Sequence, residues 1–123
     1  MEEMERMLKK IEGILEQEPK YKFEAYSFGM AGLHYTVSRL PAPRHVTGRE
    51  LCGGLRDYAL EQFGPMARTV LEYWGIRSTV DFGKIVFLLI EAELLKKTEG
   101  DSIHDFENVY DFDQAFQYEI KEE

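Results

Sequence analysis

A single cysteine, Cys52, is all the thiol this 123-residue chain contains. It has no second thiol to pair with, and zinc sites built on four cysteines or on mixed cysteine and histidine pairs are excluded with the disulfide framework. A reducing, cytoplasmic setting is the expectation. Histidine is as sparse: His34, His45 and His104 stand far apart, and none has a second ligand three or four positions away. No metal is expected. Long apolar runs are missing too, the longest being Ile85 to Ile90, far short of the roughly 18 residues a membrane span needs. The start, Met1-Glu2-Glu3-Met4-Glu5, is acidic where a secretory signal would be basic. No membrane partner is expected. Neither a glycine-rich phosphate loop, a nucleophile elbow nor a paired-carboxylate motif occurs, so no catalytic residue and no cofactor is expected.

Basic residues are also in deficit, fifteen against twenty-three acids, for a formal net charge of −8. The deficit is local. Residues 99 to 123 hold nine acids and one base, so residues 1 to 98 carry fourteen of each sign and sum to zero. Proteins that bind phosphate backbones draw most of their non-specific affinity from a net basic surface, which this chain lacks. The acids over 113 to 123 read as a solvated tail. The length supports one domain over residues 1 to 123, large enough to hide roughly two-thirds of the surface its unfolded form exposes.

Within that domain the apolar spacing is mostly helical. Met4, Met7, Leu8, Ile11, Ile14 and Leu15 form one stripe over 2 to 17, which Pro19 ends. The stripe docks either on its own domain, the favoured reading, or against a partner subunit. A second helix over 22 to 40 carries Tyr26, Met30, Leu33, Val37 and Leu40, with Gly29, Ala31 and Gly32 between them. Glycine costs about 1 kcal/mol inside a helix, so its presence predicts a close crossing with another backbone. After a linker over 41 to 45, Thr47-Gly48-Arg49-Glu50 is a capping box with Val46 and Leu51 as hydrophobic staple. Leu51, Leu55, Tyr58, Ala59 and Phe63 form that helix's buried face, and Gly64-Pro65 stops it. A short helix through Met66, Val70, Leu71 and Trp74 ends at Gly75. Ser78 and Asp81 make a second capping box, opening a helix over 79 to 95 that is apolar on nearly every side and so central. Residues 94 to 98 then read as extended, 99 to 102 as a turn, and Phe106, Tyr110 and Phe112 as one face of a returning strand. The expected fold is mainly α with a small β-hairpin (α+β). It comprises a winged-helix-like three-helix core over 46 to 112, two N-terminal helices as an extension over 1 to 40, and the acidic tail.

The residues also carry a resemblance. His45-Val46-Thr47-Gly48-Arg49-Glu50-Leu51, Gln62-Phe63-Gly64-Pro65-Met66-Ala67, Trp74-Gly75-Ile76, Asp81-Phe82-Gly83, Lys97-Thr98 and Val109-Tyr110-Asp111-Phe112 follow one another in order over about residues 21 to 116. This series resembles the Minf-type family of small uncharacterised bacterial proteins. The resemblance implies a bacterial protein, and since no activity is assigned to that family it implies no catalytic or binding role for these positions.

Several residues merit a functional reading. Cys52, near a helix start, is either an activated thiol or a small buried filler, the filler being favoured. Asp101, Asp105, Asp111 and Asp113 do not follow the calcium-loop spacing and read as turn caps facing water. Arg44 and His45 precede a capped helix and form a candidate anion-contacting loop, weighed against a loop histidine that bonds a nearby carbonyl. In a winged helix the third helix would read the major groove, yet here it offers Lys84 against Asp81, Glu91 and Glu93, with Glu99, Asp101 and Asp105 on the wing. Arg68, Arg77, Lys96 and Lys97 are the candidate phosphate contacts, a patch too small for more than weak affinity. Nucleic acid is therefore the alternative partner, disfavoured by charge. The preferred function is a non-catalytic protein–protein interaction or regulatory module, with a protein partner or a second copy of the chain. Aromatics make up 13% of the residues, and Tyr73, Arg77 and Tyr110, of types that dominate interfaces, are the candidate interaction patch.

Overall fold

The computed structural model describes residues 1–96 and 100–117, and all regular structure among them is helical. Helix α1 spans Glu2–Gln17, α2 Phe23–Ser38, α3 Gly48–Phe63, α4 Ala67–Tyr73, α5 Thr79–Glu91 and α6 Phe112–Ala115. Single 3-10 turns occupy Gly64–Met66 and Ile103–Phe106. One core joins them: Ile11 and Ile14 of α1, Ala25, Tyr26 and Phe28 of α2, Leu51 and Leu55 of α3, Leu71 of α4, and Ile85 and Leu89 of α5 are all buried in a single cluster. The first two helices thus contribute to the same interior as the later ones.

Both expected capping boxes start their helices. The Thr47 hydroxyl accepts from the Glu50 N–H at 3.1 Å while the Glu50 carboxylate accepts from the Thr47 N–H at 3.0 Å, and the Asp81 carboxylate accepts from the Ser78 N–H at 3.2 Å. Each satisfies donors that a helix start otherwise leaves open. Helices α2 and α3 cross at their glycines. A Cβ on Gly32 would strike Leu55, and one on Gly54 would strike Thr36. The close approach expected from glycine inside α2 is realised there.

The α+β expectation is overturned, because no strand occurs among the described residues and the hairpin that would make the core winged-helix-like is absent. Hydrogen-bond accounting explains it. Helix α5 ends at Glu91, and Glu93 takes a positive φ of 62°. The N–H groups of Leu94 and Leu95 then fold back onto the Leu89 carbonyl at 2.9 and 3.4 Å, closing the helix end instead of feeding a ladder. Ser102 and Asp105 form a third capping box around the Ile103–Phe106 turn, Asn108 takes a positive φ of 49°, and Asp111 caps α6 through the Asp113 N–H at 2.7 Å. An extended returning strand cannot contain those conformations. Lys97, Thr98 and Glu99 of the expected wing, and Tyr118 and Ile120 of the tail, lie outside the described residues.

What replaces the hairpin is a strap laid over α3 and α5. Phe106 sits so close to Gly83 and Gly48 that a Cβ on either glycine would meet its ring at 3.0 Å or less. The Thr79 hydroxyl donates to the Phe106 carbonyl at 2.6 Å and accepts from the Val109 N–H at 3.2 Å. Further along, the Tyr110 hydroxyl donates to the Cys52 carbonyl at 2.7 Å, and the Arg56 Nε donates to the Ala115 carbonyl at 2.9 Å. With α2 on one side and the strap on the other, α5 buries Phe82, Gly83, Ile85 and Leu89, leaving Lys84 and Glu91 in solvent.

Candidate functional site

The best-organised polar group in the molecule is Asp81. Its side chain is only 4% exposed and accepts from the Lys20 ammonium at 2.9 Å, the Tyr21 hydroxyl, and the N–H groups of Arg77 at 2.8 Å and Ser78 at 3.2 Å. Burial by itself would raise the carboxyl's pKa, but the hydrogen bonds from Tyr21, Arg77 and Lys20 outweigh it and hold the group below its usual value. Both carboxylate oxygens are occupied, and the hollow of about 300 Å³ that Lys20 and Tyr21 line is not lined by Asp81 itself, so the arrangement fastens the α1–α2 connection to the start of α5. It is a structural clasp.

Next to the clasp lies its opposite. Tyr26 is fully buried, its ring edge-on to Tyr21 at 6.3 Å, and its hydroxyl has no hydrogen-bond partner among the described residues. Removing a satisfied buried hydroxyl strands its acceptor, whereas removing an unsatisfied one lifts a desolvation penalty. Tyr21→Phe is therefore expected to cost about 1–3 kcal/mol, and Tyr26→Phe to leave stability unchanged or raise it by up to about 1 kcal/mol. Urea denaturation of the two variants checks this, and equal losses would show that the Tyr26 hydroxyl has found a partner.

The residues singled out from the sequence separate into different surroundings. Tyr73 is 70% exposed, with the Lys22 ammonium 4.9 Å from its ring centre, and Arg77 is exposed. Tyr110 turns inward instead, bonded to α3 and packed on Phe112 and Phe116, and burial pushes its hydroxyl well above the ordinary tyrosine value. Arg68 is engaged by two acids, Glu72 at 3.2 Å and Asp113, which ties α6 to α4. Cys52 is fully buried and its thiol is pushed up to about 12 by burial, the setting of an inert filler. Among the described residues no three His, Cys, Asp or Glu side chains are grouped to hold a metal ion.

Arg44, His45 and Lys96, drawn from two different sequence proposals, do come together. They border an apolar hollow of about 320 Å³ between α2, α5 and the loop before α3. Arg44 is held by both oxygens of Glu50 at 3.1 and 2.7 Å, which brings that carboxyl down to about 2, and His45 Nε2 lies 3.0 Å from Asp101. Lys96 is exposed and has no carboxylate partner among the described residues.

Exposed apolar side chains also gather elsewhere, at the start of α1. Its stripe is divided: Ile11 and Ile14 are 1% and 5% exposed and Met7 and Leu15 pack partly buried on the core, whereas Met4 and Leu8 are 57% and 37% exposed, with Met1 just before the helix exposed as well. The sequence period shows the stripe but not where the body of the domain stops beneath it. No helix among the described residues is long and apolar enough to cross a membrane. No protein-family model, curated protein or solved structure matches the chain.

Proposed function

We propose that this chain is a non-catalytic interaction module that pairs with a second copy of itself through the first half of α1. The observation that carries the reading is the division of one helical stripe into a buried part and an exposed part. A single protruding turn of methionine and leucine is adaptable contact surface, and exposed apolar side chains in a contiguous row mark association sites. Charge selects the second copy and its direction. The first turn holds Glu2, Glu3 and Glu5, and the next two hold Arg6, Lys9 and Lys10. Antiparallel pairing across a two-fold axis near Arg6 sets acids of one helix beside bases of the other and opposes Met4 to the partner's Leu8. A parallel arrangement would stack acid on acid. Such a contact is isologous and closes as a dimer.

The interface is small, in the class below about 1,200 Å² that forms transient complexes. Sedimentation equilibrium is expected to show a mass that rises from monomer to dimer with concentration, and Met4→Glu with Leu8→Glu is expected to hold it at monomer without lowering thermal stability. A wild-type mass that stays monomeric at every attainable concentration would overturn the proposal. The nucleic-acid alternative needs a wing beside the third helix, and no strand that could form one occurs among the described residues.

A further inference from the structure

The hollow bordered by Lys96 joins apolar walls to a cation at its mouth, and we infer that it is a binding site for a medium-chain carboxylic acid. Its walls are Leu33 and Val37 of α2, Val86, Phe87 and Ile90 of α5, and Leu95, every one of them half-buried. They face an open space that none of them fills. Ligand sites have this character: concave, mostly apolar, with few polar groups and these gathered at one end.

Two features narrow the ligand. Volume sets the size: a cavity of about 150 Å³ lined by aliphatic side chains accommodates benzene, so about 320 Å³ suits an apolar body of roughly a dozen non-hydrogen atoms. Charge at the rim sets the head group. The Arg44 guanidinium is neutralised by Glu50 and the His45 ring is engaged by Asp101, so neither offers an open charge. Asp101 also lines the hollow but is engaged by His45, and Lys96 remains as the cation at the mouth with no carboxylate within ion-pair distance among the described residues, so a ligand carboxylate there gains a charge-assisted hydrogen bond. A ten-carbon acid lying along Val37 and Val86 with its carboxylate at Lys96 meets both conditions. A long polar ligand or a dianion would fit less well, because the lining is mostly apolar, with the Thr47 hydroxyl its one neutral hydroxyl, and Lys96 is the one cation there without an ion-pair partner among the described residues.

Decanoate and decanol are the probes, added below their aggregation limits to the full chain and followed by amide chemical shifts. Decanoate is expected to shift the signals of Leu33, Val37, Val86 and Ile90 and to bind about tenfold more tightly than decanol. Lys96→Ala is expected to remove that preference while leaving decanol binding as it was. Val86→Phe, which fills the hollow from a half-buried position, is expected to abolish binding of both, with Val37→Phe as the second filling variant should the first fail to fold. Equal affinity for the two probes in the unaltered chain would overturn the inference. So would shifts confined to α1, or a folded filling variant that binds decanoate unchanged.

Discussion

Replacing Gly54 with alanine is expected to destabilise the domain by roughly 3 kcal/mol, the upper end of the range for overpacking a tight interior. The same change one residue earlier, Gly53→Ala, is expected to stabilise it by up to about 1 kcal/mol. Helix propensity favours alanine equally at both sites, so the difference in sign isolates packing. At Gly53 an added Cβ meets nothing within 4 Å. At Gly54 it would overlap the Thr36 Oγ1 and lie 2.7 Å from the Thr36 Cβ and 2.8 Å from its Cγ2.

Rotation cannot relieve that clash. Thr36 has a short, branched side chain whose own Cβ is already too close, and its hydroxyl is fixed by donating to the Gly32 carbonyl at 2.7 Å. Relief requires α2 and α3 to move apart, which unpacks Leu55 from Gly32 in the same crossing. Gly32→Ala is a milder insult, since it meets the far end of a leucine that has other rotamers. Thr36→Ala placed on top of Gly54→Ala removes the Oγ1 and Cγ2 overlaps but keeps the Cβ contact, so partial recovery is expected and the two changes should be strongly non-additive. Equilibrium unfolding in urea measures all of these. A Gly54→Ala variant as stable as Gly53→Ala would mean that the helices do not cross there.

That crossing was readable in the sequence only as a motive, glycine where a helix would otherwise refuse it. Periodicity placed α1 over its observed span, and the Thr47–Glu50 and Ser78–Asp81 boxes marked the starts of α3 and α5, because each of these signals is local and its physical cause lies within four residues. The hairpin failed for the same reason. Ser102-Ile103-His104-Asp105 carries the same box as Ser78 to Asp81, but Phe106, Tyr110 and Phe112 happen to fall on even positions and imitate a strand. Three aromatics held by separate turns produce the same alternation. Partners distant in sequence left no trace at all: nothing near Asp81 announces Lys20 and Tyr21, and nothing near Cys52 announces Tyr110. The exposed start of α1 and the hollow at Lys96 belong to that class. Each is defined by where other elements end, which no single stretch of sequence encodes.

Alkali is expected to unfold the domain abruptly, and this is the largest effect of solution conditions to be anticipated. Four buried acids hold their protons more tightly in the folded chain than in the unfolded one. Burial raises Cys52 to about 12 and Tyr26 to about 12, and raises Tyr21 and Tyr110 further still, with the Asp81 carboxylate adding to the effect at Tyr21. In the unfolded chain the thiol releases its proton near pH 8.5 and the phenols near pH 10. A folded pKa above the unfolded one contributes stability that is complete below the unfolded value and is lost as pH rises toward the folded value. Each such group removes about 1.4 kcal/mol per pH unit within its window, so four acting together remove roughly 5 kcal/mol per unit above about pH 10. A domain whose whole stability is on the order of 5–15 kcal/mol does not survive two such units.

The signature is coincidence. Tyrosinate absorbance and loss of helical circular dichroism are expected to rise together in one cooperative step, because Tyr21, Tyr26 and Tyr110 cannot ionise until the core opens. Tyr110→Phe, which removes one of the four protons, should make the step shallower. The acid side should be gentler: Asp81 titrates below its ordinary value, so its contribution is present above about pH 4 and fades as pH falls through the lowered folded value. Phenols that all titrate near pH 10 while the helices persist would show that Tyr21, Tyr26 and Tyr110 are in contact with water, and the interior described for this chain would have to be redrawn around them.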